Sequence, residues 1–139
     1  MFRQILIPTD FSKKHINPLE IATSLATKYK GIIHLLHVVE IIADTTFTEY
    51  EDFYSKLEKR AQKQMSALIA SYQGKAVQIF PHIAYGNRVQ EILKFINENK
   101  IDLIIMNSHK VEMNNPIQSW GTISYRVALL SDCPVMLAK

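Results

Sequence analysis

Asp10 follows directly on the apolar run Ile5-Leu6-Ile7-Pro8 and stands between the hydroxyls of Thr9 and Ser12. An apolar strand that stops at a carboxylate and hydroxyls, then turns into a helix, builds a polar crevice at the carboxyl end of a sheet, where open α/β folds bind ligands. Far along the chain, Gly121-Thr122 opens the last helical segment. N–H groups at a helix start, the helix dipole and a hydroxyl together suit an anion. Each feature alone has a plainer meaning, since Asp is a common turn acceptor and Gly-Thr before a helix is a common turn and cap. The pairing of Gly121-Thr122 with Asp10 and with Asn107, at the end of a further apolar run, is what points to a ligand pocket.

Other chemistries find no local support. The chain has no Gly-x-x-x-x-Gly-Lys phosphate loop, no Gly-x-Gly-x-x-Gly fingerprint, no nucleophile elbow and no Cys or His pair at metal-ligand spacing. His15, His82 and His109 are scattered, and a single loop histidine is more often solvated than catalytic. His34 and His37 fall on opposite faces of their strand and read as packed strand residues. Trp120 anchors its loop by burial more readily than it stacks on a base, and Ser108 and Ser119 carry no assigned role. Cys133, just before Pro134, packs at a helix-to-strand turn, with a redox role open only if it is exposed.

At 139 residues, 47% of them apolar, the chain can bury one core and is too short for two ordinary domains. One domain over 1–139 is therefore expected. The formal charge is +3, and Lys and Arg are interspersed with Glu and Asp along the helices, which leaves no nucleic-acid footprint. Met1-Phe2-Arg3-Gln4 lacks a long apolar follow-on and no apolar run is long enough to cross a bilayer, so a cytoplasmic protein without a membrane partner is expected. One cysteine excludes an intramolecular disulfide.

The elements that must position the pocket alternate regularly. Arg3 to Pro8 is a strand apolar on both faces. Asn17-Pro18-Leu19-Glu20 supplies an N-cap, a proline at the first helical position and a glutamate reaching back, so a helix is predicted there, with Leu19, Ala22, Leu25, Ala26 and Tyr29 in register and Gly31 as its stop. Ile32 to Val39 is a second buried strand. A long helix follows from about Glu49 to Tyr72, with a stripe of Phe53, Leu57, Arg60, Ala61, Gln64, Met65, Leu68 and Ile69 and a stop at Gln73-Gly74. Val77 to Ile83 is a third strand, which Pro81 confines to a sheet edge. Gly86-Asn87 caps a third helix with Val89, Ile92, Leu93 and Ile96 inward, closed by Asn99-Lys100. Ile101 to Met106 is the fourth strand, Asn107 to Trp120 the one long aperiodic stretch, and a last helix from Gly121-Thr122 carries Val127, Leu129 and Leu130. Val135 to Ala138 is the fifth strand. This alternation implies a doubly wound α/β fold with a mostly parallel sheet and helices on both faces.

Both ends of the chain match in order the pattern of the universal stress protein family: Pro8-Thr9-Asp10-Phe11-Ser12, Leu35-Leu36-His37-Val38-Val39, and Gly121-Thr122 followed by Cys133-Pro134-Val135-Met136-Leu137. The chain is similar to that family over nearly its whole length. The resemblance implies the strand order 3-2-1-4-5, two helices on each face, and a homodimer in which last strands pair. It also implies a nucleotide site made by Pro8, Thr9, Asp10 and Val38 on one side and by Met106, Asn107, His109, Lys110, Gly121, Thr122 and Ile123 on the other. Asp10 would lie by the nucleotide and Val38 by the adenine, although Val38 alone reads as a core residue.

The family's phosphate loop has a glycine, two residues, a second glycine, nine residues, then a glycine and a hydroxyl residue. Here Asn107-Ser108-His109-Lys110 is followed by an interval one residue longer and then Gly121-Thr122, so two glycines are missing. Glycine permits positive φ and lets backbone N–H groups approach phosphate. Asn107 partly substitutes, because asparagine visits the left-handed region, while Lys110 offers an ammonium as a point contact. Three functions follow: a regulatory module holding ATP or AMP, with or without Mg²⁺; a nucleotide-free dimeric interaction protein of the same fold; or, last in rank, a slow ATPase using Asp10 or His109 as its base.

Overall fold

A computed structural model describes residues 1–12, 16–41, 48–108, 114 and 122–139. Among the described residues five strands and four α-helices alternate: β1 Gln4–Pro8, α1 Ile16–Tyr29, β2 Ile32–Glu40, α2 Glu51–Ala70 after a 3-10 turn at Thr48–Tyr50, β3 Gln78–Gly86, α3 Arg88–Glu98, β4 Leu103–Asn107, α4 Ile123–Leu130 and β5 Val135–Ala138. The strands form one sheet in the order β3-β2-β1-β4-β5, and every neighbouring pair is parallel. The expected topology is therefore observed, with the sheet parallel throughout. Parallel strands need helical crossovers, and these cover both faces.

Each face builds its own core layer. Ile5, Ile7, Ile33, Leu35, Leu103 and Ile105 pack under Leu19, Ala22 and Ala26 of α1 and Met65 of α2. Leu6, Leu36, Val38, Ile104 and Met106 pack under Val89, Ile92 and Ile96 of α3 and Val127 of α4. The alternation of successive β1 residues between the two layers is the period of a strand, and it is why Ile5-Leu6-Ile7 had to be apolar without interruption. β1 and β4 are central, so their carboxyl ends open side by side.

Several local expectations are corrected. Asn17 is the second residue of α1, not its cap; its Nδ2 donates to the Lys139 carbonyl at 2.6 Å and ties the helix to the end of the chain. The stop of α1 is Lys30, in the left-handed region at φ 54, rather than Gly31. Gly31 instead answers to close approach, because a Cβ there would lie 2.5 Å from the Phe2 carbonyl oxygen. On α2 the buried stripe runs through Tyr54, Ala61 and Met65, while Phe53 is 47% exposed and Arg60 and Gln64 face solvent. Tyr54, Leu57, Ala61 and Met65 keep steps of three and four, and Phe53 falls about 100° off that line. β3 runs three residues beyond the predicted Ile83, with Pro81 exposed on the edge as expected.

β4 begins at Leu103 because Asp102 is used otherwise. Its carboxylate accepts from the N–H groups of Arg3 and Gln4 at 2.9 and 3.0 Å, which sets the start of β1 against that of β4. In α4 only Val127 of the three named apolar residues is buried; Leu129 and Leu130 are 73% and 61% exposed.

Candidate functional site

The cleft forms where β1, β2 and β4 end. Thr9 N–H donates to the Leu36 carbonyl at 2.8 Å, extending the ladder one residue past β1. The chain then turns on its own side chains: Phe11 N–H donates to Thr9 Oγ1 at 3.0 Å and Ser12 N–H to Asp10 Oδ1 at 2.8 Å. Phe11 sits at φ 63, a conformation that costs a non-glycine residue about 1–2 kcal/mol. Its ring lies 4.6 Å from that of His37, and His37 Nδ1 donates to the Thr9 carbonyl at 2.8 Å. Strain at the turn is thus held by contacts on both sides of it, as is common where a loop must present groups to a ligand.

On the opposite side of β1, β4 ends at Asn107, and Ser108 N–H continues the ladder to the Ala138 carbonyl at 2.8 Å. Asn107 Nδ2 is buried and makes no hydrogen bond among the described residues. Leaving a buried donor unsatisfied costs about 1–3 kcal/mol, so an acceptor supplied by a ligand would be favoured there. Thr122 precedes α4 in an extended conformation and does not cap it with its side chain. Its Oγ1 lies 3.3 Å from Ser124 Oγ instead, and Ser124 is only 8% exposed. Two hydroxyls therefore cluster at the first turn of a helix.

These pieces line one cleft of about 390 Å³, bounded by Pro8, Thr9, Asp10, Ser12, Leu36, Val38, Arg88, Ile92, Met106, Asn107, Thr122, Ile123 and Ser124. Its volume falls within the range of small-molecule pockets, and its make-up is of their kind: an apolar lining with a few convergent polar groups. Eight residues singled out by sequence, Pro8, Thr9, Asp10, Val38, Met106, Asn107, Thr122 and Ile123, come together here. His109, Lys110 and Gly121 lie outside the described residues. The Asp10 carboxylate accepts within the turn, the plainer reading open to it, and the residue also lines the cleft.

Ser12, whose hydroxyl the sequence already places at the crevice, also lines the cleft. Four lining residues were missed: Leu36 lies two before Val38, and Ser124 lies two past Thr122, where hydroxyl spacing was an available signal. Arg88 and Ile92 come from α3, which packs over β2; inspecting strand ends alone could not find them. Arg88 Nε stands 3.6 Å from Glu40 Oε1, with side-chain exposures of 38% and 56%. An exposed pair at that distance contributes little.

A second polar cluster lies lower on the same face. His34 Nε2 donates to Gln4 Oε1 at 2.8 Å, which leaves Nδ1 of the neutral ring to accept from His82 Nε2–H at 2.9 Å. Burial lowers both pKa values, and for His34 the neighbouring His82 lowers it further. Both rings therefore favour the neutral form. Among the described residues no group of three His, Cys, Asp or Glu is placed to hold a metal ion, and no helix is long and apolar enough to cross a membrane.

Comparison with known proteins gives a consistent result. A model of the universal stress protein family matches residues 1–139. Universal stress protein YxiE of Bacillus subtilis is 26% identical over an alignment of 149 residues that covers the whole of both chains. The solved structure of MJ0577, a universal stress protein of Methanocaldococcus jannaschii, is 26% identical, with 100% of this chain and 96% of that one covered and a TM-score of 0.82. A universal stress protein from Archaeoglobus fulgidus in complex with dAMP superimposes with a TM-score of 0.72 at 17% identity, covering 98% of this chain and 97% of that one.

Proposed function

Because the chain belongs to the universal stress protein family, we propose that its cleft binds an adenine nucleotide, ATP or AMP, and that the protein acts as a cytoplasmic regulatory module rather than as an enzyme of rapid turnover. The observation that carries this reading is the buried Asn107 Nδ2, which has no hydrogen-bond partner among the described residues, in a cleft that also gathers Asp10, Thr122 and Ser124. A phosphate or ribose oxygen supplies the missing acceptor, and the α4 N-terminus favours negative charge beside it. Support also comes from the A. fulgidus relative, whose structure is a complex with dAMP.

The residues divide the work by chemistry. Leu36, Val38, Ile92 and Met106 offer apolar surface for a flat base, and the Thr122 and Ser124 hydroxyls with the Asn107 amide offer hydrogen bonds to phosphate. Any Mg²⁺ would be held chiefly through the nucleotide's own phosphates, as this ion commonly is. Because two family glycines are replaced in the stretch from Asn107 to Lys110, fewer close backbone donors reach the phosphates, and binding is weaker than in relatives that keep both. Assembly is proposed through β5, which pairs with β4 on one side and lies at the sheet edge. A strand edge invites a second copy.

Titration of isotopically labelled protein with AMP, followed by NMR, tests the site. The amides of Thr9, Asp10, Val38, Asn107 and Thr122 should shift together and saturably. Shifts scattered over the surface, or confined to another face, would leave the nucleotide-free interaction protein as the better reading.

A further inference from the structure

Resting on the nucleotide reading above, we propose that the Arg88 guanidinium stacks on the base of the bound nucleotide, making Arg88 the residue on the α3 side that fixes the base. Residues two apart on a strand share a face, so Leu36, Val38 and Glu40 form one row along β2. The first two are buried in the α3–α4 layer, and Glu40 is the next step of the row, about 7 Å beyond Val38. Arg88 Nε lies 3.6 Å from that Glu40. Arg88 and Ile92, one helical turn apart, line the cleft together. A flat ring resting on Val38 and Ile92 therefore shares its cleft with the Arg88 side chain, within reach of the guanidinium.

The orientation of the ligand follows from the sheet order. β2 lies on one side of β1 and β4 on the other. Asn107, Thr122 and Ser124, the groups suited to phosphate, belong to β4 and the start of α4, so a nucleotide with its phosphate there places its base on the β2 side, under Arg88. The guanidinium is available for the task. Its one ion pair among the described residues is the long one to Glu40, and both side chains are more than a third exposed. Its root is held firmly: Gly86 turns the chain at φ 142, and Asn87 caps α3 by accepting from Gln90 N–H at 3.1 Å. Planar guanidinium groups stack on aromatic faces, whereas an ammonium acts as a point charge.

Calorimetric titration of the wild type, Arg88→Ala and Arg88→Lys with adenosine, AMP and ATP separates base from phosphate. Stacking on the base requires that Arg88→Ala weaken all three ligands by a similar factor, about three- to tenfold, and that Arg88→Lys, with the charge but not the plane, recover little of it. Thermal melting of both variants should match the wild type, since the side chain is partly solvated. A loss confined to AMP and ATP and restored by lysine would make Arg88 a phosphate contact and overturn the inference. Unchanged affinity of Arg88→Ala for all three would overturn it as well. If the wild type itself binds none of them, the nucleotide reading has failed, a result distinct from either of these.

Discussion

His37 Nδ1 donates to the Thr9 carbonyl at 2.8 Å, joining β2 to the turn that presents Asp10. The histidine does not line the cleft, yet it holds the turn from behind, with the Phe11 ring packed 4.6 Å from its own. His37→Ala removes both contacts and should cost about 1–2 kcal/mol of stability. His37→Phe keeps a ring against Phe11 without the hydrogen bond and should recover part of the loss. Urea unfolding reads both values; an alanine variant as stable as the wild type would show that the turn is held by its internal bonds alone.

Two adjacent residues at the end of α1 should respond with opposite signs. Lys30 occupies a left-handed conformation at φ 54, so Lys30→Gly relieves strain, less the greater entropy of an unfolded glycine, for a net gain of about 0.5–1 kcal/mol. Gly31→Ala places a Cβ 2.5 Å from the Phe2 carbonyl oxygen and should cost about 1–3 kcal/mol through forced backbone movement. Equal effects of the two substitutions on the melting temperature would contradict this division.

The His34–His82 pair predicts loss of stability in acid. Both folded pKa values lie below the ordinary 6.5, so as pH falls the unfolded chain takes up protons first. The pair's contribution is complete above about pH 6.5 and declines below it, toward the folded values. Around His34 the groups on neighbouring elements are Gln4 of β1, His82 and Phe80 of β3 and Phe95 of α3, none of them an anion that could offset a new charge. Replacing both histidines by glutamine should flatten the fall in urea midpoint between about pH 8 and about pH 5; an unchanged fall would assign the acid sensitivity elsewhere.

Much of this architecture was legible because strand and helix periods are short and local. Ile5-Leu6-Ile7 announces a buried strand by an unbroken apolar run, Ile32 to Val39 by apolar pairs around His34 and His37, and Val135–Ala138 a half-buried edge strand by a short apolar run, while Asn87 announces the start of α3 by its side chain. Phe53 and Tyr54 could not be ranked from sequence, since adjacent aromatics fit either side of a helical stripe and tertiary packing chose Tyr54. Gly31 was misread for a similar reason: a glycine after a helix suggests a left-handed stop, and only the nearness of Phe2 reveals its other use. In the cleft, residues at strand ends were found because topology places them. Arg88 and Ile92 were not, since which helix overhangs the strand ends depends on packing between elements distant in sequence, and the His34–His82 contact joins strands 48 residues apart in the same way.

In the proposed site, Asn107, Thr122, Ser124 and Asp10 converge on an adenine nucleotide. Calorimetry of the wild-type protein with ATP, up to roughly millimolar ligand, where about 4 kcal/mol of binding free energy becomes measurable, puts that convergence to the test. Saturable heat is expected, with about one nucleotide per chain, reduced when Asp10 is replaced by alanine. No heat with ATP, and none with AMP or adenosine over the same range, would contradict it.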